Sequence, residues 1–492
     1  MFKSITSKIQ RDKDYPERQF NIDVLTRVLK GKLYDHLEHA FNEEKKEGGI
    51  EEYIPIRNRR PSVRYGLCRI VVDDSVSLLF SEGHFPALDC KDEKTRDTLA
   101  ELVKDIKLNQ VMIEAATAGS VGSVAILMRI LSNRIFLSVF NTQFLTPIWK
   151  KDAPDTLEKV VEKYKVKGSV LAGLGYTIPA DDMIADFWFM RAWDETAETW
   201  YLPWKVSKDA KPDDDQVVDD SNTVKHKLGF VPLVWIKNLP SDDAIDGECT
   251  FPTEAIDSQI EIDYQLSQAG RGLKYSSDPT LLLKEPAFGE DGKIIKGAGN
   301  ALVVSKDGDA KLLEIDGTAS TAVIEYCRAV REMALETAHG NRTNADKLAT
   351  AQSGRAMEMM NQALVNLADR LRITYGEGGL LSVLKMIIKA SAKFELLCDG
   401  EKLGELNQKE RISLRWPHWY APTYADKQAE SVTMGMLRDK QLISQETAVQ
   451  TIAPSYDIPD AQDELKKIKA EPPPPGTEPV KPKQEPLEEA AD

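Results

Sequence analysis

Apolar residues form two helical runs on either side of a polar gap, and this arrangement organises the second half of the chain. Val323, Tyr326, Cys327, Val330 and Ala334 recur in steps of three and four after Ser320, whose hydroxyl is placed to cap a helix over residues 320–337. Met357, Met360, Leu364, Leu367 and Leu371 repeat that spacing after Ser353, predicting a second helix that starts there. Gly376, Gly378 and Gly379 interrupt the second pattern and residues 380–392 resume it, so one long helix kinked at the glycines is expected. Between the two runs, residues 341–352 read NRTNADKLATAQ, a polar, turn-forming stretch whose cations are Arg342 and Lys347.

Upstream the pattern mixes both periods. An amphipathic helix is expected over residues 23–41, an apolar helix or strand feeding a turn and a strand over 111–131, and an alternating strand over 134–140. Aromatic β-rich runs at 186–193 and 199–205 flank a hairpin at 194–198, and Pro232 marks the strand 228–237 as an edge strand or a strand start. A helix is expected over 254–270, capped by Thr253 and stopped by Gly270 and Gly272, with Ile256, Ile260 and Tyr264 on one side. Residues 278–316 read as a compact insert of three short strands (280–283, 302–305 and 311–315), with turns at Asp291-Gly292 and Asp307-Gly308. Strands follow at 395–397 and 412–416 and helices at 422–438 and 444–452. The proline-rich run from Glu471 is expected to be extended or disordered. The fold class is α+β.

Composition narrows the functions available. The 492 residues carry 79 acidic and 64 basic side chains, a formal charge of −15, where a protein that grips nucleic acid through phosphate neutralisation carries a basic patch. The five cysteines (Cys68, Cys90, Cys249, Cys327 and Cys398) are scattered and never paired as C-x-x-C, so a reducing compartment is expected, with neither a disulfide framework nor a zinc ribbon. The first twenty residues are charged without an apolar core, and no run approaches the ~18 apolar residues that span a bilayer, so the expectation is a soluble, non-secreted protein with no membrane contact.

Chemical motifs are sparse. No Walker A pattern occurs, and the Gly119–Gly122 pair lacks the third glycine and the acidic partner of a dinucleotide loop, so packing or a turn is its role. His36 and His39, followed by Glu43, share roughly one face of the helix expected there, without the H-E-x-x-H order of a zinc site or a nearby cysteine; a solvated helix face is the reading. Asp242, Asp243 and Asp246 miss the calcium-loop spacing and read as a solvated loop or as charge at a helix N-terminus, and His418 reads as packed between Trp416 and Trp419. No nucleophile, base and orienting group converge by spacing, so no enzyme, cofactor or metal site is expected.

In one consistent order, several segments resemble the portal proteins of tailed bacteriophages. They are AGSVGSVA at 118–125, LGFVPLV at 228–234, AIDSQIEID at 255–263, QSGRA at 352–356, QLISQETA at 441–448, YDIPD at 456–460 and DEL at 463–465. Each is short; their order and the helix, β-insert, helix hairpin carry the resemblance over most of residues 110–470, while the first hundred residues match poorly. The resemblance implies a portal-type elongated subunit with a helical stem, a small β-rich clip, a mixed wing and a helical crown, assembling into a cyclic ring, usually of twelve copies.

On that pattern residues 1–252 form an N-terminal arm and wing, 253–275 the first stem helix, 276–317 the clip and 318–339 the second stem helix. Residues 340–352 form the tunnel loop, 353–415 the long kinked helix and wing return, 416–469 the crown and 470–492 a proline-rich disordered tail. Asn341, Arg342, Thr343, Asn344, Lys347 and Gln352 are then the DNA-facing residues, and Phe288, Glu290, Asp291 and Lys293 dock partners at the clip. The implied partners are double-stranded DNA, a terminase motor, major capsid and scaffold proteins and head–tail adaptors, in a virion assembled in host cytoplasm. Two other readings remain: a soluble structural adaptor using its proline-rich tail, and a subunit of a nucleic-acid-processing enzyme.

Overall fold

Alternation along one strand explains how the chain builds its interior. In Ser123–Leu131, Val124, Ile126 and Met128 enter a core shared with helices, while Ala125 and Leu127 face Leu145, Val160, Trp193 and Trp235 in a second core. Both faces are buried over residues 124–128, so that part of the strand reads as an unbroken apolar run. It lies at the centre of an antiparallel three-stranded sheet with Leu233–Lys237 and Arg134–Asn141 on either side, pairing Ile126 with Val234 and Val139. Pro232 leaves Leu233–Lys237 at the edge, as its sequence predicts.

The computed structural model describes residues 1–46, 52–207, 216–277, 280–286, 304–313, 318–340, 354–420, 422–456, 458 and 461–470. The chain separates into two units, residues 1–342 with 361–419, and residues 343–360 with 420–492. In the larger unit a second antiparallel sheet runs in the order Trp204–Lys205, Asp186–Trp193, Leu157–Lys167, Leu145–Trp149, with Glu198–Trp200 also paired to Asp186–Trp193. The expected hairpin at 194–198 is present, its Asp194 Oδ1 accepting the Thr196 and Ala197 N–H groups. Helices Leu67–Phe80, Leu108–Gly119 and Leu381–Ser391 supply the largest share of the principal core.

Several local expectations fail for identifiable reasons. The helix expected over 23–41 is Glu17–Leu29, because Pro16 sets the start and Gly31, at φ +67°, turns the chain out. His36 and His39 therefore lie outside the helix: His36 Nε2 bonds the Ile5 carbonyl and His39 bonds Glu43. The helix expected to stop at Gly270 runs on as Thr253–Ser277; both glycines keep negative φ, and their cost of about 1 kcal/mol each is below what the packed face returns. Among the described residues of the 278–316 insert there are two strands, Thr280–Pro286 and Val304–Leu313, the second running through positions where two of the three expected strands lay. Asp307-Gly308 is no hairpin turn but sits in the irregularity between the Lys284–Asp309 and Pro286–Val304 pairs.

The smaller unit is built on caps. Thr423 and Asp426 form a reciprocal capping box at the start of Tyr424–Asp439, and Ser444 caps Gln445–Ile452. Asp426 also accepts the Gly354 N–H at 2.8 Å, the main cause holding its carboxyl below the usual range. Helix Ala461–Ala470 adds a buried Leu465.

Candidate connector site

Polar residues four apart on Thr253–Ser277 give this helix a built function. Gln259, Asp263 and Ser267 are all buried, and each accepts a backbone N–H from one strap: Cys68 N to Gln259 Oε1 at 2.9 Å, Tyr65 N to Asp263 Oδ1 at 2.7 Å and Val63 N to Ser267 Oγ at 3.0 Å. The strap needs them. It leads into Leu67–Phe80, whose N-cap is Gly66 at φ +69° with no side chain to offer, so the cap comes from Gln259 on another helix. Tyr34 donates its hydroxyl to Asp263 Oδ2 at 2.8 Å and Tyr264 donates to the Arg59 carbonyl at 3.0 Å. From the second hairpin helix, Thr318–Thr337, Arg331 donates to the Tyr65 hydroxyl at 2.7 Å. The two helices pack on one another and the strap is bonded to both.

Burial dominates the electrostatics here. Desolvation pushes the Asp263 carboxyl up to about 6, against the opposing pull of Tyr65 N–H, the Tyr34 hydroxyl and Arg64. The same burial raises the Tyr34 and Cys68 groups far above their ordinary values, so both stay neutral. On Thr318–Thr337, Cys327, Val330 and Ala334 face inward as their spacing predicts, whereas Ile324, Tyr326 and Met333 are exposed. The helix begins at Thr318, two residues before the expected Ser320 cap.

The ten residues expected to act directly lie outside the described residues. These are Asn341, Arg342, Thr343, Asn344, Lys347 and Gln352 of the polar gap, and Phe288, Glu290, Asp291 and Lys293 of the insert; Ser353 lies outside them too. What is described is their frame: the hairpin helices, the paired strands Thr280–Pro286 and Val304–Leu313, and the long helix that follows the gap.

In the larger unit the helix runs as Gln362–Leu371 and Leu381–Ser391, joined by a π-helical stretch, Arg372–Leu380, at the glycines where the pattern breaks; in the smaller unit Gly354–Met360 is helical. Gly376 lies against the Trp416 ring and Gly379 against Ile236, each closer than a Cβ permits, so two of the three glycines are contact residues. Gly119 likewise ends its helix against the hydroxyl of fully buried Tyr375, which donates to Asn238 Oδ1 at 3.0 Å. His418 is exposed, contrary to expectation. The group between Trp416 and Trp419 is the Arg372 guanidinium.

Asp246 also departs from the solvated loop expected for it. Arg18 donates to both its oxygens, at 2.5 and 2.8 Å, and to the Thr142 and Leu145 carbonyls at 3.0 Å, while Ser123 donates to Asp246 Oδ1. No spacing signals a partner 228 residues away; the one hint is an Asp-Gly next to the Gly122 turn, whose carbonyl accepts the Gly247 N–H.

Neither of two clefts on the larger unit offers a catalytic arrangement. In the first, of about 400 Å³, the Trp188 and Trp204 rings are already faced by Lys163, at 5.0 and 5.4 Å. The second, of about 480 Å³, is lined by Lys385 and Lys389 together with Asp155 and Glu195. Among the described residues no group of three or more His, Cys, Asp or Glu could hold a metal ion, and no helix is long and apolar enough to cross a membrane.

The class is thus an α+β subunit carrying a helix, β-pair, helix insert clamped to its body by a buried polar ladder. A family model for phage portal proteins, SPP1 Gp6-like, matches residues 12–472, and the chain belongs to that family of structural head–tail connector proteins. No curated protein matches the sequence. Solved chains from the virion of a native gene transfer agent particle and from the neck of an empty gene transfer agent particle (computed with C6 symmetry) are similar at 11% identity. Each has a TM-score of 0.37, with 79% of this chain and 88% of the other covered.

Proposed function

We propose that copies of this chain close into a ring at one capsid vertex, the channel through which a separate terminase motor drives double-stranded DNA and through which the genome later leaves. The observation that carries this reading is the family match over residues 12–472, which takes in the whole hairpin and the long helix after it. The ring's own contribution is passive. It shapes the channel, joins capsid and scaffold proteins on one side, and seats head–tail adaptors at the 276–317 clip.

Charge supports this role. Twelve copies at −15 each sum to about −180, so a DNA polyanion is held off the wall and slides. Arg342 and Lys347 add sparse cations, repeated once per subunit. Heads assembled with Arg342→Ala and Lys347→Ala together should contain normal rings but package or retain severalfold less DNA, as read by nuclease protection of the packaged genome. Unchanged DNA content, or failure of ring assembly itself, contradicts a DNA-facing role for residues 341–352.

A further inference from the structure

We propose that neighbouring copies of this chain are joined head to tail by a knob, Ile184, which seats in the lysine-rimmed cleft on the next copy's larger unit. The contact rests on the ring reading above, since it takes a second copy as the occupant of the cleft and gives the ring one of its joints.

The knob is held out by its own backbone. Ile184 is 85% exposed, the most of any aliphatic side chain among the described residues, and Val170 and Leu174 are 51% and 63% exposed. Water is a poor environment for such a cluster. Ser169 N donates to the Met183 carbonyl at 2.8 Å and Gly168 N to the Ala185 carbonyl at 3.0 Å, so Ile184 is clamped between two bonds to the start of helix Gly168–Gly173. Ala185 N closes the turn on the Asp182 carbonyl at 3.0 Å, and Gly168 lies against that carbonyl closer than a Cβ permits. The cluster beneath, Leu171, Phe187 and Phe189, is buried without Ile184.

The cleft of about 480 Å³ matches the knob in polarity and in charge. Val231, Leu233, Val234, Trp235 and Met386 line it with apolar surface, while Lys385 and Lys389, both exposed, stand four apart on its rim. Glu195 is taken by Lys150 at 3.6 Å, so the rim keeps two lysines against Asp155. Around the knob, Lys205 pairs with Asp182 and Lys167 with Asp186, which leaves Asp181 exposed and without an ion-pair partner among the described residues. An apolar anchor with an acidic collar thus faces an apolar floor with a basic rim, the arrangement of an interface hot spot.

Geometry decides that the occupant is another copy. Strand Leu157–Lys167 starts at the cleft, which Leu157 lines, and ends at the knob, where Lys167 pairs with Asp186. Its 11 residues span about 33 Å, so no copy fills its own cleft. Strand Asp186–Trp193 runs back antiparallel from the knob toward the hairpin that carries Glu195 into the cleft lining. Donor and acceptor at opposite ends of one sheet repeat head to tail, a heterologous contact that makes a ring when its rotation closes.

Carbodiimide treatment of the full-length chain, which joins a carboxylate to an amine in contact, tests the joint. Peptide mass spectrometry of the covalent dimer should find Asp181 linked to Lys385 or Lys389, a link their separation forbids within one copy. Ile184→Asp, at an exposed position, should remove the link and raise the protein concentration at half assembly by at least tenfold. Asp181→Lys should weaken assembly in the same direction, and adding Lys385→Asp with Lys389→Asp should restore it, a recovery that damage to the fold would not give. Rings that lack the link and are unaffected by Ile184→Asp overturn this contact and leave the portal reading standing. The link in open chains that never close would support the contact and contradict the portal reading, and a chain that stays monomeric contradicts both.

Discussion

Asp263→Ala is expected to destabilise the larger unit by about 3 kcal/mol at pH 5, measured by urea unfolding. The substitution strands the Tyr65 N–H and the Tyr34 hydroxyl, both of which bond the carboxylate, and each buried polar group left without a partner costs about 1–3 kcal/mol. The pH matters because the folded carboxyl is raised to about 6 from an ordinary 3.8. The folded state then holds its proton more tightly than the unfolded chain does. This group's contribution is therefore most favourable below pH 3.8 and is lost as pH rises through about 6. The shift corresponds to at most about 3 kcal/mol across that window, since one pKa unit is about 1.4 kcal/mol. Asp263→Asn keeps an acceptor for Tyr65 and removes the titration. Stability relative to Asp263→Asn should thus improve for the native chain by about 1.4 kcal/mol on going from pH 7.5 to pH 5. Parallel pH profiles for the two proteins would contradict a buried carboxyl titrating near 6.

The second large effect is expected at Arg18. The guanidinium and the Asp246 carboxylate are 19% and 15% exposed, and the arginine makes four hydrogen bonds to Asp246, Thr142 and Leu145. Arg18→Ala takes the cation from a largely buried carboxylate, which keeps the Ser123 hydroxyl as a donor, and one donor each from the Thr142 and Leu145 carbonyls, at a cost of about 3–5 kcal/mol. Helix Glu17–Leu29 should then exchange its amides faster while strand Ser123–Leu131 stays protected. Adding Asp246→Ala should restore part of the loss, because the uncompensated charge is gone. Arg18→Lys should recover little, since an ammonium cannot reproduce the fork that reaches both carboxylate oxygens. Purely additive effects of the two alanines would show that the pair is not coupled.

Short-range periodicity made most of the elements legible. The strands Ser123–Leu131, Arg134–Asn141 and Asp186–Trp193, the edge position forced by Pro232, and the helices Tyr424–Asp439 and Gln445–Ile452 all follow from local chemistry. Failures came where tertiary contacts overrode local preference. Gly270 and Gly272 did not stop a helix whose other face is anchored by Gln259, Asp263 and Ser267. The glycines at 376–379 signalled an irregularity, but the close approach of Gly376 to Trp416 and of Gly379 to Ile236 depends on residues far away in sequence. The ladder was not visible: Asp263 is one of four acids on Thr253–Ser277, and nothing local names the strap it holds. Arg372 was hidden for the same reason, since its seat is made by two tryptophans more than 40 residues away.

Ring formation is the most direct test of the portal reading. Native mass spectrometry of the purified full-length chain, with negative-stain images taken down the ring axis, should show a closed cyclic oligomer of about twelve subunits with an open centre. A monomer that persists at micromolar concentration across low and high salt, with no ring in any image, would contradict the portal reading.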